Sequence, residues 1–310
     1  MFEAVSRLHA REGRQANLAV VSVPDERVER LASVFSSQRK IHAQVRLRDV
    51  PGFDARALHD ARECDALAIV LRCFGPEQGP VADLGSFRAE LAVADVSTIE
   101  QALERFRKKA KSGEREAQVE VEACEKAEEI LGQDRWLVEA DWAPEHERVI
   151  RLLTPLTFKP VLHVLNLDET AASPADVPEP RLEIRGLLEA EAAELDEVDA
   201  SALLAEYGVA ESATQRFVHA VYGVLDLVTF FTANEVEARA WDVRRATTAP
   251  RAAGSIHTDF ERGFIRAEVI GVDELAEAGS WDAARQRGLL RVEGKGYEVA
   301  DGDVLSIRHS

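Results

Sequence analysis

Two short runs carry residue types that a nucleoside triphosphate site needs. Asp49-Val50-Pro51-Gly52 is a D-x-x-G turn. A carboxylate in that place can reach Mg²⁺ through a water, and the glycine N–H can sense a terminal phosphate. Asn166-Leu167-Asp168-Glu169 is an N-x-x-E run. An amide and a carboxylate at a strand end can read the edge of a base by hydrogen bonds. Most D-x-x-G runs are plain turns, and a polar run is an ordinary way to finish a strand, so position in the fold has to separate these readings.

The third part of such a site is a phosphate cradle, G-x-x-x-x-G-K-[ST]. The sequence contains none. Its one Gly-Lys, Gly294-Lys295, is followed by Gly296 and is expected to be a turn. Each hydrogen bond to a charged group is worth roughly 1.5–3 kcal/mol, so losing three phosphate contacts removes about 5 kcal/mol, or several-thousand-fold in affinity. As the sequence is written, ATP is expected neither to bind usefully nor to be hydrolysed.

A separate set of residues could make contacts. Arg105, Arg107, Lys108, Lys109, Lys111 and Arg115 gather around Lys111-Ser112-Gly113, and Arg239, Arg244, Arg245 and Arg251 form a second group. The 310-residue chain has a net charge of −18, so nucleic acid would have to be held by such local patches rather than by the whole surface. The alternative for each patch is a solvated helix or strand surface. Cys64, Cys73 and Cys124 have no metal-ligand spacing and are expected to be reduced thiols of a cytoplasmic protein. His59, His257 and Asp259 lack partners at metal or triad spacing and are expected to be structural.

The elements that must position these residues follow from periodicity. Met1 to Arg14 has a helical face of Phe2, Val5 and Leu8. Asn17–Val23 is a strand, Glu26–Ser37 a helix, Ala43–Val50 a strand, Ala55–Cys64 a helix and Ala66–Phe74 a strand. Strands alternating with helices imply a largely parallel sheet. From Phe87 to Gly132 the spacing is helical on both sides of Gly113, which predicts an antiparallel helical hairpin. Lys159–Leu165 returns as a buried strand and Leu182–Leu187 as another. Glu189–Leu204 and Gln215–Leu227 are helical. The last third is cut by Gly and Asp at short intervals and reads as a mostly β module.

Three strings in this order resemble the YchF/Obg-like ATPases, translation-associated P-loop proteins of the Obg superfamily. The first is Gly254-Ser-Ile-His-Thr-Asp-Phe-Glu-Arg-Gly-Phe-Ile-Arg-Ala-Glu268, in that family's C-terminal TGS-type domain. The second lies in the hairpin, as Glu90-Leu-Ala-Val-Ala-Asp95, Thr98-Ile-Glu100 and Lys108-Lys-Ala-Lys-Ser-Gly113. The third is Asn166 to Glu169, which resembles the family's N-x-x-E run and with it a preference for ATP over GTP. Met1 to Ser6 resembles the helix that follows the family's phosphate loop, so the chain starts where that loop should end. Two expectations follow: an upstream strand and loop that the sequence does not include, or their loss.

The resemblance implies an α/β fold. Its parts are a Rossmann-like P-loop NTPase core over 1–86 and 134–222 without its first strand and phosphate loop, an inserted antiparallel coiled-coil hairpin over 87–133, and a TGS-like β-grasp domain over 223–310. It implies a degenerate nucleotide site, with Asn166, Leu167 and Glu169 on the base side and Asp49 and Gly52 on the Mg²⁺ side. Departures from the family run are Arg185-Gly186-Leu187, which stands where a Ser-Ala or Cys-Ala pair meets the base, and the missing Gly- and Lys-rich segment after Phe53. The implied function is ribosome or RNA binding, through Arg105, Arg107, Lys108, Lys109, Lys111, Arg115, Arg244 and Arg245. No cofactor is expected of the chain as written; ATP and Mg²⁺ are expected if the phosphate loop exists upstream. The alternatives are an ATP-preferring ATPase completed by that loop, and a protein-interaction scaffold.

Overall fold

The computed structural model describes residues 17–75, 79–111, 115–169 and 171–310, with the side chains of Arg115 and Glu197 left aside. The expected helix at Met1 to Arg14 lies outside the described residues. The chain divides into two compact units, one of Leu47–Val224 with the chain up to Ala19, and one of Val20–Arg46 with Leu225–Ser310. Strands β1 (Asn17–Ser22) and β3 (Gln44–Asp49) pair as a two-stranded sheet, and the division falls inside both.

The first unit is built on a parallel sheet in the order β4-β5-β6, from β4 (Leu67–Arg72), β5 (Val161–Asn166) and β6 (Arg181–Ile184). Central β5 is largely apolar on both faces, as suits a strand covered on both sides, with buried His163 placing its Nδ1 3.3 Å from the Pro180 carbonyl. Leu165 packs with Ile69, Leu71, Leu84, Leu91 and Trp136 on one face, and Leu162 and Val164 pack with Ile184, Ala213 and Phe217 on the other. Edge strand β4 is covered on one face only. Its Ala68 and Val70 are exposed, as are Leu18 and Val20 of β1, so alternate apolar side chains on two strands face solvent.

Helix α1 (Glu26–Phe35) belongs to the second unit, and α2 (Ala55–Arg62) leads into β4; between β4 and β5 come the long α3 (Pro80–Ala110), α4 (Arg115–Gly132) and α5 (Pro144–Leu152). Helices α3 and α4 run antiparallel, which brings Arg107 to Glu125 and Lys109 to Glu120. Their seam is Ile99, Ala102 and Leu103 against Val121, Cys124, Ala127 and Ile130, spaced three and four apart as one helix face requires. Each fully buried leucine or isoleucine there contributes about 1.5–3 kcal/mol. The helical spacing begins at Pro80, before the expected Phe87, because Leu84 also reaches the sheet. Past β6 the chain forms α6 (Gly186–Ala192), α7 (Glu197–Glu206) and α8 (Ala213–Leu225). The single helix expected over Glu189–Leu204 is therefore broken. Asp196 accepts from the N–H groups of Val198 and Asp199 and starts a new helix. The strand expected over Leu182–Leu187 ends at Ile184, because Gly186 already opens α6.

The second unit carries a six-stranded sheet in the order β10-β9-β11-β7-β8-β2. Its strands are β2 (Arg39–Ile41), β7 (Leu227–Ala233), β8 (Glu237–Arg244), β9 (Phe264–Gly271), β10 (Arg291–Glu293) and β11 (Asp303–His309). One face packs on α9 (Ala249–Ile256) through Val228, Phe230, Ala252, Phe264 and Val269, with the short α10 (Thr258–Arg262) beside it. The other receives α1 (Glu26–Phe35) and α11 (Val272–Ala278), followed by α12 (Trp281–Gln286).

Residues 20–46 thus leave the nucleotide-core span expected for them. The reason is pairing that periodicity does not show. Strand β2 extends the sheet parallel to β8, with Arg39 opposite Glu237 and Ile41 opposite Arg239. Val28 and Leu31 of α1 are fully buried. Asp25 caps α1 and holds Arg27, which also reaches Asp301 at 2.7 Å and lies 4.8 Å over the Phe231 ring.

Candidate functional site

The end of β5 is held as a shaped loop. The Asn166 carbonyl accepts from the Cys73 N–H and the Leu167 N–H donates to the Ile184 carbonyl, so the strand ends between its two neighbours. The Asn166 Oδ1 then accepts from the Gly186 N–H at 3.1 Å. Glycine suits 186, since a Cβ there would stand 2.5 Å from the same oxygen and push the Asn166 amide aside. Leu167 is buried, and its side chain serves the core rather than a ligand. Asp168 Oδ1 accepts from the Ala171 N–H at 2.6 Å. Glu169 is exposed and accepts from the Tyr207 hydroxyl at 3.3 Å; its charge pushes the Tyr207 phenol up from its ordinary pKa.

A second clamp is not visible in the sequence. Glu189, buried in α6, accepts from the Arg185 N–H at 2.9 Å and from the Arg216 guanidinium of α8. Arg185-Gly186-Leu187 is therefore fixed from both sides, by Asn166 and by the Glu189–Arg216 pair. Leu187, on the exposed side, is 71% accessible. Glu189 and Arg216 sit in helical runs full of acids and ordinary cations, and nothing local marks them as a pair.

The D-x-x-G turn follows β3. Asp49 accepts from the Asn17 amide at 3.1 Å. Gly52 is exposed with a φ of 77°, and an added Cβ would meet nothing within 4 Å. The positive φ explains the glycine as a turn requirement. Asn166, Gly186 and Glu169 present a fixed amide, a close backbone and an exposed carboxylate at one strand end. Asp49 and Gly52 present one carboxylate and one open turn at another. No hydrolytic step can be built from these residues alone.

Among the cations, the structure separates paired from unpaired. Arg107 bonds Glu125 at 2.8 Å and Lys109 bonds Glu120 at 3.2 Å. Arg105 lies over the Phe106 ring at 5.0 Å. Lys108 and Lys111 are exposed with no ion pair among the described residues. In the second unit Arg245 bonds Asp226 at 2.8 Å, Arg239 lies 3.8 Å over the Trp241 ring, and Arg244 is exposed. Of the histidines, His59 is exposed, and His257 Nδ1 accepts from the Asp259 N–H to cap α10. All three cysteines are free, and burial pushes the Cys124 thiol up to about 11.

Deeper in the first unit is a buried polar joint. Asp95 of α3 is fully buried and accepts from the N–H groups of Leu156 and Thr157, at 3.0 and 2.7 Å. Arg62 at the end of α2 reaches Asp95 at 3.2 Å and the Thr98 hydroxyl at 3.0 Å. Lys159 donates to the carbonyls of Arg62 and Cys64. One joint thus ties the helical pair, α2 and the entry to β5.

A family model described as YchF-GTPase_C, protein of unknown function (DUF933), matches residues 227–310. The chain is 34% identical to the ribosome-binding ATPase YchF of Escherichia coli O157:H7, over 94% of this chain and 88% of that one. It is 31% identical to the protein of the same name from Bacillus subtilis (strain 168), with the same coverage. It is 30% identical to Obg-like ATPase 1 of Oryza sativa subsp. japonica, over 93% of this chain and 82% of that one. The structure of the Schizosaccharomyces pombe YchF GTPase superposes with a TM-score of 0.79 at 25% identity, covering 94% of this chain and 87% of that one. Among the described residues, no helix is long and apolar enough to cross a membrane.

Proposed function

This chain belongs to the YchF/Obg-like ATPase family, and from that premise we propose that it is a cytoplasmic, ribosome-associated protein with a degenerate nucleotide site. The observation that carries the reading is the 34% identity, over 94% of the chain, to a relative named a ribosome-binding ATPase. The coiled-coil hairpin and the TGS-like β-grasp domain are the parts that would touch the ribosome. Lys108 and Lys111 lead the contact at the hairpin, with Arg105 and Arg115 beside them. Arg244 supplies contact from the second unit, and Arg245, Arg107 and Lys109 contribute less because each already has a carboxylate partner. Asn166, Leu167 and Glu169 shape the base side of the site, and Asp49 and Gly52 its metal side.

Co-sedimentation of the full chain with purified ribosomes through a sucrose cushion tests this. Binding that weakens steeply with added salt is the expected result. A chain that stays in the supernatant at low salt overturns it.

A second reading is an ATP-preferring P-loop ATPase, completed by a further strand and phosphate loop that the sequence does not include. The edge of β4 favours it. Among the described residues β4 pairs with β5 alone, so its other edge carries backbone groups that a further strand would pair. ATP and Mg²⁺ would then be the cofactors. The intact mass of the protein from its own cells, followed by ATP and GTP titration, separates the readings. A mass matching the sequence with no nucleotide binding supports the degenerate site; a heavier protein that prefers ATP supports the second.

A further inference from the structure

The exposed part of the second unit's sheet carries a charge arrangement that internal pairing does not explain. Arg266 of β9 and Arg308 of β11 stand directly opposite each other. Like charges in that position repel and destabilise a sheet. The one carboxylate between these strands is Glu268, two residues from Arg266 on the same face. Glu268 is already taken, since its Oε2 accepts from Arg308 at 3.1 Å and from Arg285 of α12 at 3.0 Å. Arg285 also bonds Asp282 at 3.0 Å. Arg266 is exposed and has no carboxylate partner among the described residues. Three guanidinium groups thus meet two carboxylates, and the uncompensated charge sits at Arg266. Val292 of β10 and Ser306 of β11 stand on either side of Glu268 in the register, and Val292 is 64% accessible.

We propose that this face, through Arg266, Arg308 and Arg285, binds the phosphate backbone of RNA. An arginine fork matches a phosphate in two parallel hydrogen bonds, and a sheet fixes the spacing of two such forks better than a loop could. Binding of a phosphate between Arg266 and Arg308 would relieve the repulsion that the free protein carries. On a chain of net charge −18 a repelling arginine pair is an unusual thing to keep without an anionic partner. The inference rests on the ribosome-binding reading for its choice of RNA over other polyanions. It concerns arginines outside the groups assigned to contact above.

The test uses the full chain and a mixed-sequence, single-stranded RNA 20-mer followed by fluorescence anisotropy, with polyglutamate as competitor. Because Arg266 has no carboxylate partner to lose among the described residues, Arg266→Glu is expected to fold normally. It should raise Tm by about 1–3 °C, as the introduced carboxylate pairs with Arg308. The same change should weaken RNA binding about tenfold and lower the slope of log K against log salt by about 0.7. Arg308→Gln should weaken binding in the same direction. A gain in Tm with unchanged RNA affinity overturns the proposal, and so does competition by polyglutamate as strong as by RNA, which would point to an acidic protein partner. Ribosome co-sedimentation of the same proteins keeps the two failures apart. Wild-type chain that sediments with ribosomes while Arg266→Glu leaves RNA affinity untouched sinks this face alone. Wild-type chain that does not sediment sinks the ribosome reading, and the RNA 20-mer still decides the fate of the sheet face.

Discussion

The Asn166 Oδ1 occupies the space that a side chain at residue 186 would need: it lies 3.1 Å from the Gly186 nitrogen and 2.5 Å from where a Cβ would be. The strand end and the following helix are therefore fitted to each other as a pair. Gly186→Ala must push the amide away and lose its hydrogen bond, at about 1–2 kcal/mol. Asn166→Ala loses the same bond, at about 1 kcal/mol. The double variant should be less destabilised than the sum, because Asn166→Ala removes the obstacle. Urea unfolding of the four proteins measures the coupling. Simple additivity would mean that residues 166 and 186 do not constrain each other.

Asp95 gives a pH dependence of definite sign. Burial raises its pKa above 3.8, against the lowering effect of the Leu156 and Thr157 amides and of Arg62. The folded state then binds the proton before the unfolded state does as pH falls. Asp95 therefore favours folding most below the unfolded pKa, and this contribution is lost as pH rises through the folded pKa. The stability gap between wild type and Asp95→Asn should widen from pH 7 toward pH 4. Asp95→Ala, which strands two amides and Arg62, should cost about 3–5 kcal/mol at pH 7. A gap that narrows on acidification would show that Arg62 and the amides outweigh burial.

Legibility in the sequence followed the range of the contacts. The helical pair was readable from Leu91, Ile99 and Leu103 because its seam repeats every three to four residues, and β5 was readable as a buried strand because Val161, Leu162, Val164 and Leu165 make a short apolar run. What failed was partnership at a distance. Glu26 to Phe35 showed an apolar face, but nothing local said that Val28 and Leu31 would pack with a sheet some 200 residues further on. Asp196, inside an acid-rich run, looked like one more helical residue although it caps a new helix. At the candidate site, Asn166 and Gly52 stand out in the sequence by type and place. The clamp of Glu189 and Arg216 does not, because a buried ion pair leaves no periodic trace.

The hairpin cations should not act alike. Arg107 and Lys109 are bonded to Glu125 and Glu120, whereas Lys108 and Lys111 are exposed with no ion pair among the described residues. Lys108→Glu with Lys111→Glu should weaken ribosome co-sedimentation about tenfold or more and reduce its salt dependence by about 0.7–0.9 per lost contact. Arg107→Gln with Lys109→Gln should change it by less than about threefold, since exposed pairs of this kind are worth about 0.2–1 kcal/mol. Equal losses in the two double variants would mean that the Glu125 and Glu120 pairs open on binding.

Tyr297 ties the turn of the second unit to β11, and its titration should be felt at high pH. Its hydroxyl donates to Asp303 at 2.6 Å, and Asp303 also accepts from Arg291 at 2.9 Å and from the Ala300 N–H at 2.9 Å. Burial first, and then the bond to Asp303, push the Tyr297 phenol up to about 12 from an ordinary value of 10.0. The folded state keeps the phenolic proton over a range in which the unfolded state has released it. Its contribution is therefore complete below pH 10 and lost as pH rises toward 12. Wild-type Tm should fall over that interval more steeply than the Tm of Tyr297→Phe. At neutral pH the variant should be less stable by about 1 kcal/mol, since Asp303 loses one donor but keeps Arg291 and Ala300. If both proteins lose stability in parallel above pH 10, the phenol is not held by Asp303, and the turn from Gly294 to Gly302 is fixed by its backbone alone.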